Sequence, residues 1–162
     1  GRNLRQMIAA GDLDIAIVSG ESENSDEMQL WCERLIWSAP LGSPLEEQAK
    51  LPIAQLECDC ILRDVFLADL KRAEIPYQVV FSSPVVDNLA SAVEENLAIS
   101  LLPESVLHAN RTRKVQSNLI KSNRTLSINM IYRPEIDDAT LEAVSNCMRQ
   151  ASSNQRHTVN IT

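Results

Sequence analysis

The stretch SPVVDNLASAVEENLAISLLPESVL, residues 83–107, decides the fold of this chain. Ser83 can accept a hydrogen bond from a free amide of a first helical turn. Pro84 at the first helical position has no N–H to leave unpaired. We therefore predict that a helix begins at Pro84. Apolar residues then recur at three- and four-residue spacing as far as Leu97, which predicts that one face of this helix packs on a sheet.

A buried strand follows this helix. Residues 98–102 are too few for a helix and too apolar for an edge strand, so we predict a strand covered on both faces and ended by Pro103. Strand and helix also alternate through the rest of the chain. This alternation predicts an α/β fold with a mostly parallel sheet.

The remaining elements follow from the same periodicities. We predict helices over 3–10, 61–73 and 139–151, and strands over 13–18, 33–38, 77–82 and 126–132. A polar loop is expected over 19–29, and a helical turn over 49–56 that leads into a strand near Glu57 and Cys58. The polar residues 152–162 form a C-terminal tail that we expect to fray.

Several stretches, taken in order, resemble one family. They are the pattern S-x5-L-x3-V-x3-L-x-I-S-L-L-P-x-S-V-L in 83–107, MIAAGDLDIAIV at 7–18, ERLIWSAP at 33–40 and LRD at 62–64. Over roughly residues 3–151 this succession resembles the effector-binding domain of LysR-type transcriptional regulators. The family usually has Gly-x-Gly where this chain has Asn96 to Ala98. We therefore predict that Asn96, which tolerates left-handed dihedrals, forms the turn after the helix.

The resemblance implies a type 2 periplasmic-binding-protein-like fold with two lobes. Residues 1–34 and 98–151 would form the first lobe, and residues 35–97 a second, inserted lobe. The hinge positions would be Ser38, Ala39, Leu97 and Ala98. The family's winged helix-turn-helix and the first strands of its effector domain would precede Gly1, so we expect a fragment whose first lobe is incomplete at its N-terminus.

The resemblance also implies that a small-molecule effector binds between the lobes. Free amides and positive helix ends there would suit a small anion or polar molecule. Eight residues match the family's binding segments: Ser19, Gly20, Asp59, Cys60, Arg63, Ser82, Ser83 and Pro84. Two of them have a plainer interpretation, since Ser83 could be a helix cap only and Arg63 a structural partner of a nearby acid.

Charge and composition limit the partners. The net charge of −7 argues against a surface that binds DNA, because duplex binding depends on Lys and Arg. DNA would therefore be contacted by a domain absent from this chain. Between Ser105 and Pro134 six basic residues occur without a carboxylate, which fits a solvated flank or, alternatively, an anion patch. No apolar run is long enough to span a membrane, so we expect a cytoplasmic protein.

The cysteines leave a redox function open. Cys58 and Cys60 shortly before LRD resemble the peroxide-sensing branch of the family, although residues 66–69 contain no resolving cysteine. The alternative is a pair of small buried apolar residues. No metal site is expected, because C-x-C lacks a second ligand pair and His108 and His157 lie far along the chain.

No catalytic motif is present. The sequence contains neither a G-x-S-x-G elbow nor a phosphate-binding glycine loop, so we expect no enzyme and no cofactor. We predict the effector-sensing regulatory domain of a LysR-type regulator, which forms a homodimer or a dimer of dimers. Two alternatives remain open: a stand-alone periplasmic-type solute-binding protein, and a cysteine-based redox sensor of the same family.

Overall fold

The computed structural model describes residues 2–20, 27–57, 60–116, 120 and 124–159. They form two compact units. The first unit contains residues 1–33 and 125–162, and the second contains residues 34–124. The chain passes from one unit to the other within one long strand, Glu27–Pro40, and again at residues 124 and 125.

The described residues contain four helices and seven strands. In chain order they are α1 (Arg2–Ala10), β1 (Ile15–Ser19), β2 (Glu27–Pro40), β3 (Leu51–Leu56), α2 (Ile61–Ala73), β4 (Tyr77–Ser83), α3 (Val86–Glu94), β5 (Ser100–Pro103), β6 (Thr112–Lys114), β7 (Thr125–Tyr132) and α4 (Asp138–Val159). Short 3-10 turns occur at Leu45–Glu47 and Glu104–Val106.

The first unit is a sheet with one helix on each face. β7 pairs antiparallel with β1 and lies next to β2. On one face the strand residues Ala16, Val18 and Ile131 pack with apolar side chains of α1 and the turn after it. On the other face Leu30 and Met130 pack with α4. Both faces of the sheet are therefore apolar, and each is covered by an amphipathic helix.

The second unit is organised around a parallel pair of strands. β3 and β4 run parallel, with α2 as the crossover between them. β2 pairs antiparallel with both β5 and β6, and Ile99 forms a parallel bridge to Ile53. Trp37, Ile53 and Ile99 are fully buried in this unit. The α/β class that the alternation of elements predicts is confirmed.

The sheets are mixed, with more antiparallel than parallel ladders among the described strands, whereas a mostly parallel sheet was expected. Only β3 and β4 form a parallel ladder among the described strand pairings, and the ladders of β1 with β7 and of β2 with β5 are antiparallel. The sequence pattern predicts the relative direction of two strands only where a single helix connects neighbouring strands, as α2 connects β3 and β4. The other ladders join strands that are distant in the chain, so local periodicity does not determine their direction.

Most predicted elements agree with the structure, but several bounds differ. β2 begins at Glu27, inside the stretch 19–29 predicted as a loop, and α4 continues to Val159, into the stretch 152–162 predicted to fray. The helical turn predicted between β2 and α2 is wrong. Residues 49–56 do not form a helical turn, because β3 occupies Leu51–Leu56 and the preceding turn lies at Leu45–Glu47. β3 is buried on both faces, so its side chains do not alternate between apolar and polar. A short apolar run of this kind cannot be distinguished from a buried helical turn by periodicity alone.

The compact units and the predicted lobes differ in where the second unit ends, at residue 124 in the structure and at residue 97 in the prediction. The first predicted boundary, after residue 34, falls one residue from the observed one. Residues 98–124 belong to the second unit, since β5 and β6 pair with the second half of β2. The predicted hinge residues Ser38, Ala39, Leu97 and Ala98 all lie in that unit. The hinge itself stays a prediction.

Asn96 makes the turn that the sequence assigns to it. Its φ is 64°, in the left-handed region. The N–H groups of Asn96 and Leu97 donate to the carbonyls of Val93 and Ala92, at 3.1 and 3.0 Å, and so close the C-terminal end of α3. An asparagine thus serves at the position where the family usually has glycine.

Asp69 is a buried carboxylate in the core of the second unit. Its side chain is fully buried, and Trp37 Nε1 donates a hydrogen bond to Oδ2 at 3.0 Å. Arg72 Nη2 donates to Oδ1 at 2.5 Å, and Arg124 Nε lies 3.9 Å from the same oxygen. The Trp37 ring also packs against Phe66, with centroids 5.0 Å apart. This network joins helix α2 to strand β2.

We predict that Asp69→Ala destabilises the protein by about 2–4 kcal/mol, because it leaves the buried N–H of Trp37 and the Arg72 guanidinium without their acceptor. Asp64→Ala is the matched control, since Asp64 is an exposed aspartate on the same helix. Its effect should stay below about 1 kcal/mol. Urea denaturation of both variants measures the two free energies of unfolding, and equal losses would contradict the role of Asp69.

The basic stretch between residues 105 and 134 is largely neutralised by acids from other elements. Arg111 pairs with Glu94 and Glu95 at the end of α3, and Arg113 pairs with Glu46 at 2.6 Å. Arg133 lies 3.3 Å from Asp14. These pairs argue against a free anion patch. Among the described helices, none combines the length and the apolar character needed to cross a membrane.

The pair of Glu46 and Arg113 should make stability depend on pH. The hydrogen bond from Arg113 lowers the pKa of Glu46 below its ordinary value of 4.5. The stabilisation is therefore present above that value and is lost as pH falls through the lowered pKa. We predict that Arg113→Met lowers Tm most at neutral pH and that its difference from wild type shrinks below about pH 4.

Arg34→Met is the control for this measurement. Arg34 pairs with Glu104, but its side chain is 70% exposed, so the pair is screened by solvent. Removal of this arginine should change Tm little at any pH. Thermal melts of the wild type and both variants at several pH values test the difference. A Tm loss in Arg113→Met that stays constant with pH would refute it.

Candidate effector site

The candidate site in the second unit is the edge where β3 and β4 end. In the parallel ladder Gln55 pairs with Ser82 and Leu56 with Ser83, so the two strands end side by side. The N–H of Glu57 then donates to the carbonyl of Ser83 at 2.9 Å. Helix α2 begins at Ile61 and helix α3 at Val86, shortly after these ends. Both helix N-termini therefore follow the same edge of the sheet.

Neither helix start has a side-chain cap within the part of the chain that the structure describes. The N-cap residues are Cys60 for α2 and Val85 for α3, and neither makes a side-chain hydrogen bond to a helix amide. The first amides of a helix have no partner inside the helix, and the helix dipole places positive charge there. Two such ends at one edge favour an anion.

Ser83 is buried and holds the turn between β4 and α3. Its Oγ accepts hydrogen bonds from the N–H of Val85 at 3.1 Å and from Asn88 Nδ2 at 3.0 Å. The prediction that the helix begins at Pro84 is wrong, because α3 begins at Val86 and its N-cap is Val85. The hydroxyl of Ser83 closes a local turn before the helix and bonds no helical amide.

Arg63 and Cys60 belong to the start of α2. Arg63 is half-buried in the first turn and forms no ion pair with any described carboxylate. Cys60 is disulfide-bonded. A free thiolate at this helix start is therefore excluded in this state. Asp59 and Cys58 lie outside the described residues.

Ser19 and Gly20 lie in the first unit, where β1 ends. The N–H of Gly20 donates to the carbonyl of Ser127 at 2.9 Å, and Asn129 Nδ2 donates to the carbonyl of Gly20 at 3.2 Å. In the second unit the structure brings Cys60 and Arg63 to the same edge as Ser82, Ser83 and Pro84. The binding role of all these residues stays a prediction.

Two residues of these turns were not predicted from the sequence. Asn88 bonds the hydroxyl of Ser83, and Asn129 holds the carbonyl of Gly20. Asn129 has a signal in the sequence, because it is the one amide in the strand segment LSINMIY. Asn88 is one of several polar residues on α3 and has no comparable signal. Within the described residues, no three His, Cys, Asp or Glu side chains are grouped to hold a metal ion.

A two-unit α/β chain with helix N-termini at the ends of parallel strands defines a class of ligand-binding domain. The family model of the LysR substrate binding domain matches residues 1–153. The chain therefore belongs to this family, the effector-binding regulatory domain of LysR-type transcriptional regulators, and the type 2 periplasmic-binding-protein-like fold is confirmed. No curated protein sequence matches the chain.

Solved structures agree on the fold. Full-length HypT from Salmonella typhimurium, a hypochlorite-specific LysR-type regulator, is 15% identical with a TM-score of 0.74, over 94% of this chain and 56% of that chain. The regulatory domain of CcmR from Synechocystis PCC6803, in complex with 2-PG, is 14% identical with a TM-score of 0.66, over 94% and 79%. The reduced regulatory domain of OxyR from Pseudomonas aeruginosa is 18% identical with a TM-score of 0.63, over 92% and 78%. This chain thus spans little more than half the length of full-length HypT.

Proposed function

We propose that this chain senses a small anionic effector, which binds between its lobes and controls a DNA-binding domain outside the chain. One observation supports the choice of an anion. At the edge of β3 and β4 two uncapped helix N-termini follow adjacent strand ends, and Arg63 there has no partner among the described carboxylates. Amides and a guanidinium are the groups that bind carboxylates and phosphates. The binding of 2-PG by CcmR, an organic anion, is consistent with this class.

Regulation of transcription follows from the family. A regulatory domain acts by a difference in affinity of the effector for two conformations, so binding shifts their populations. The DNA-binding part would lie outside this chain, which covers 56% of full-length HypT. Since the net charge of this chain is −7, we assign no DNA contact to it.

We predict that Arg63→Ala weakens binding of a small carboxylate or phosphate by about tenfold or more, because it removes a charge-assisted hydrogen bond. Lys71→Ala is the matched control, since it removes a positive charge from the last turn of the same helix. It should change the dissociation constant less than about twofold. Isothermal titration of the 162-residue chain with a panel of small carboxylates and phosphates measures both effects.

The outcome is decisive in either direction. If some anion binds and the two variants weaken it equally, the anion is not held at the start of α2. If no anion in the panel binds the wild-type chain, the proposed effector class is wrong. Binding that depends on Arg63 but not on Lys71 would support the edge of β3 and β4 as part of the effector site.

A redox sensor is the second candidate, and one observation favours it. Cys60, the N-cap of α2, is disulfide-bonded, so its oxidation state would alter the start of the helix that contains Arg63. The same titration in dithiothreitol distinguishes the two functions. For an effector sensor the affinity for the anion should hardly change. For a redox sensor the disulfide itself is the input, and its reduction should alter the conformation without any anion.

We further propose that the chain forms a homodimer through strand β4. Tyr77, Val79 and Val80 are exposed by 41%, 46% and 39%, and β4 pairs only with β3 among the described strands. An exposed apolar edge strand is a template for pairing with another chain unless something covers it. The family resemblance, which implies paired effector domains, favours a second copy of this chain as the cover.

We predict that Val79→Lys converts the dimer to a monomer and raises its dissociation constant at least about tenfold, because a lysine on an edge strand opposes pairing. Leu97→Lys is the control, since Leu97 is 48% exposed but lies outside β4. Size-exclusion chromatography with light scattering measures the mass. The proposal is wrong if the wild type is monomeric at high concentration or if both variants remain dimers.

A further inference from the structure

Strand β1 lies at the edge of the first unit's sheet among the described strands, yet its composition is that of an inner strand. It pairs with β7 in a regular register and with no other described strand. Ala16 and Val18 pack on the face that α1 covers. Ile15 and Ile17 pack on the opposite face, against the cluster that α4 covers. Strands that are apolar on both faces usually have neighbours on both sides, whereas edge strands usually have a charge, a proline or a bulge, and β1 has none of these.

The ladder with β7 shows which backbone groups of β1 face the open edge. The N–H of Gly20 donates to the carbonyl of Ser127 at 2.9 Å, and the N–H of Arg133 donates to the carbonyl of Asp14 at 3.0 Å. In an antiparallel ladder, residues that bond the neighbouring strand alternate with residues whose N–H and C=O point away from it. The even-numbered residues of β1 therefore bond β7. The residues whose backbone groups point to the open edge are Ile15, Ile17 and Ser19.

Helix α1 indicates which segment fits this edge. It directly precedes β1 in the chain, and its residues Leu4 and Ile8 pack on one face of the same sheet. A helix in this position is the crossover of a βαβ unit, in which the strand before the helix lies parallel to the strand after it. α1 and β1 are the second and third parts of such a unit. The first part would be a strand that ends shortly before Arg2.

The solved relatives have room for such a strand. This chain covers 79% of the regulatory domain of CcmR and 78% of that of OxyR, whereas 94% and 92% of this chain is matched. Each of those domains therefore contains a segment without a counterpart in this chain. A strand of the same polypeptide also has a high effective concentration at the edge, because it is tethered there. Both points favour it over a second copy of the chain.

We propose that the open edge of β1 binds a strand from the segment of the same polypeptide that precedes Gly1, and that this strand runs parallel to β1. Its backbone pairs with the outward groups of Ile15, Ile17 and Ser19 and completes the sheet of the first unit. The inference goes beyond the proposed function and does not depend on an effector, since the edge of β3 and β4 belongs to the second unit. For a regulator, it means that the rest of the polypeptide joins this domain through the sheet of the first unit.

Amide hydrogen exchange, measured by NMR on the 162-residue chain and on the longer natural polypeptide, tests the proposal. In the 162-residue chain the outward amides of Ile17 and Ser19 should exchange at least about a hundredfold faster than those of Ala16 and Val18, which bond β7. In the longer polypeptide the outward amides should slow at least about a hundredfold, because the added strand accepts their hydrogen bonds. Outward amides that exchange equally fast in both chains overturn the proposal.

A second copy of the chain is the competing occupant, and dilution distinguishes it. If the outward amides of the 162-residue chain are protected at high concentration and lose this protection on dilution, the edge pairs with another copy and the proposal is wrong. Protection that does not change with concentration would mean that residues 1–162 cover the edge themselves. That result would also overturn it.

Two proline variants test the same edge through stability. Ile17→Pro removes an N–H that only an added strand accepts, so it should lower the Tm of the longer polypeptide at least about 4 °C more than that of the 162-residue chain. Ala16→Pro is the matched control, because it removes an N–H that bonds β7 and should lower both Tm values by similar amounts. Thermal melts of the two chains measure these losses. Equal losses for Ile17→Pro in the two chains count against the added strand.

Discussion

The parallel pairing of β3 with β4 is the constraint on which the candidate site depends. Because the two strands run in the same direction and end together at Leu56 and Ser83, the helices that follow them begin at the same edge. The hydrogen bond from Glu57 to Ser83 extends this pairing by one residue. An antiparallel pair would send the two helix N-termini to opposite edges, and their positive ends could not act on one anion.

The buried carboxylate of Asp69 anchors the helix that this pairing positions. α2 has Arg63 in its first turn and Asp69 further along, where Trp37 of β2 and two arginines surround the carboxylate. A buried charge is tolerated only when it is paired and hydrogen-bonded, so the helix is restrained relative to β2. β2 runs from the first unit into the second. Helix α2, which begins at the candidate site, is thereby held against strand β2.

Sequence reasoning succeeded where structure is local. The helix at Ile61–Ala73 was predicted with its observed ends, since a 3.6-residue apolar period and a following turn define it. Asn96 was assigned to a left-handed turn from its residue type alone. It failed for β3, which is apolar on both faces. It also placed the start of α3 two residues early, because the hydroxyl of Ser83 can close a turn as well as a helix.

The sequence by itself thus indicated the family through the resemblance of its motifs in chain order. It also determined the order of most helices and strands and the residues that lie near strand ends, since these depend on local periodicity and turn chemistry. Only the tertiary structure decided strand directions, the grouping of residues 98–124 with the second unit, and the partners of Asp69 and Asn129. The physical reason is that a hydrogen bond between Trp37 and Asp69, or between Asn129 and Gly20, joins residues 32 or 109 positions apart. No local pattern specifies such a contact.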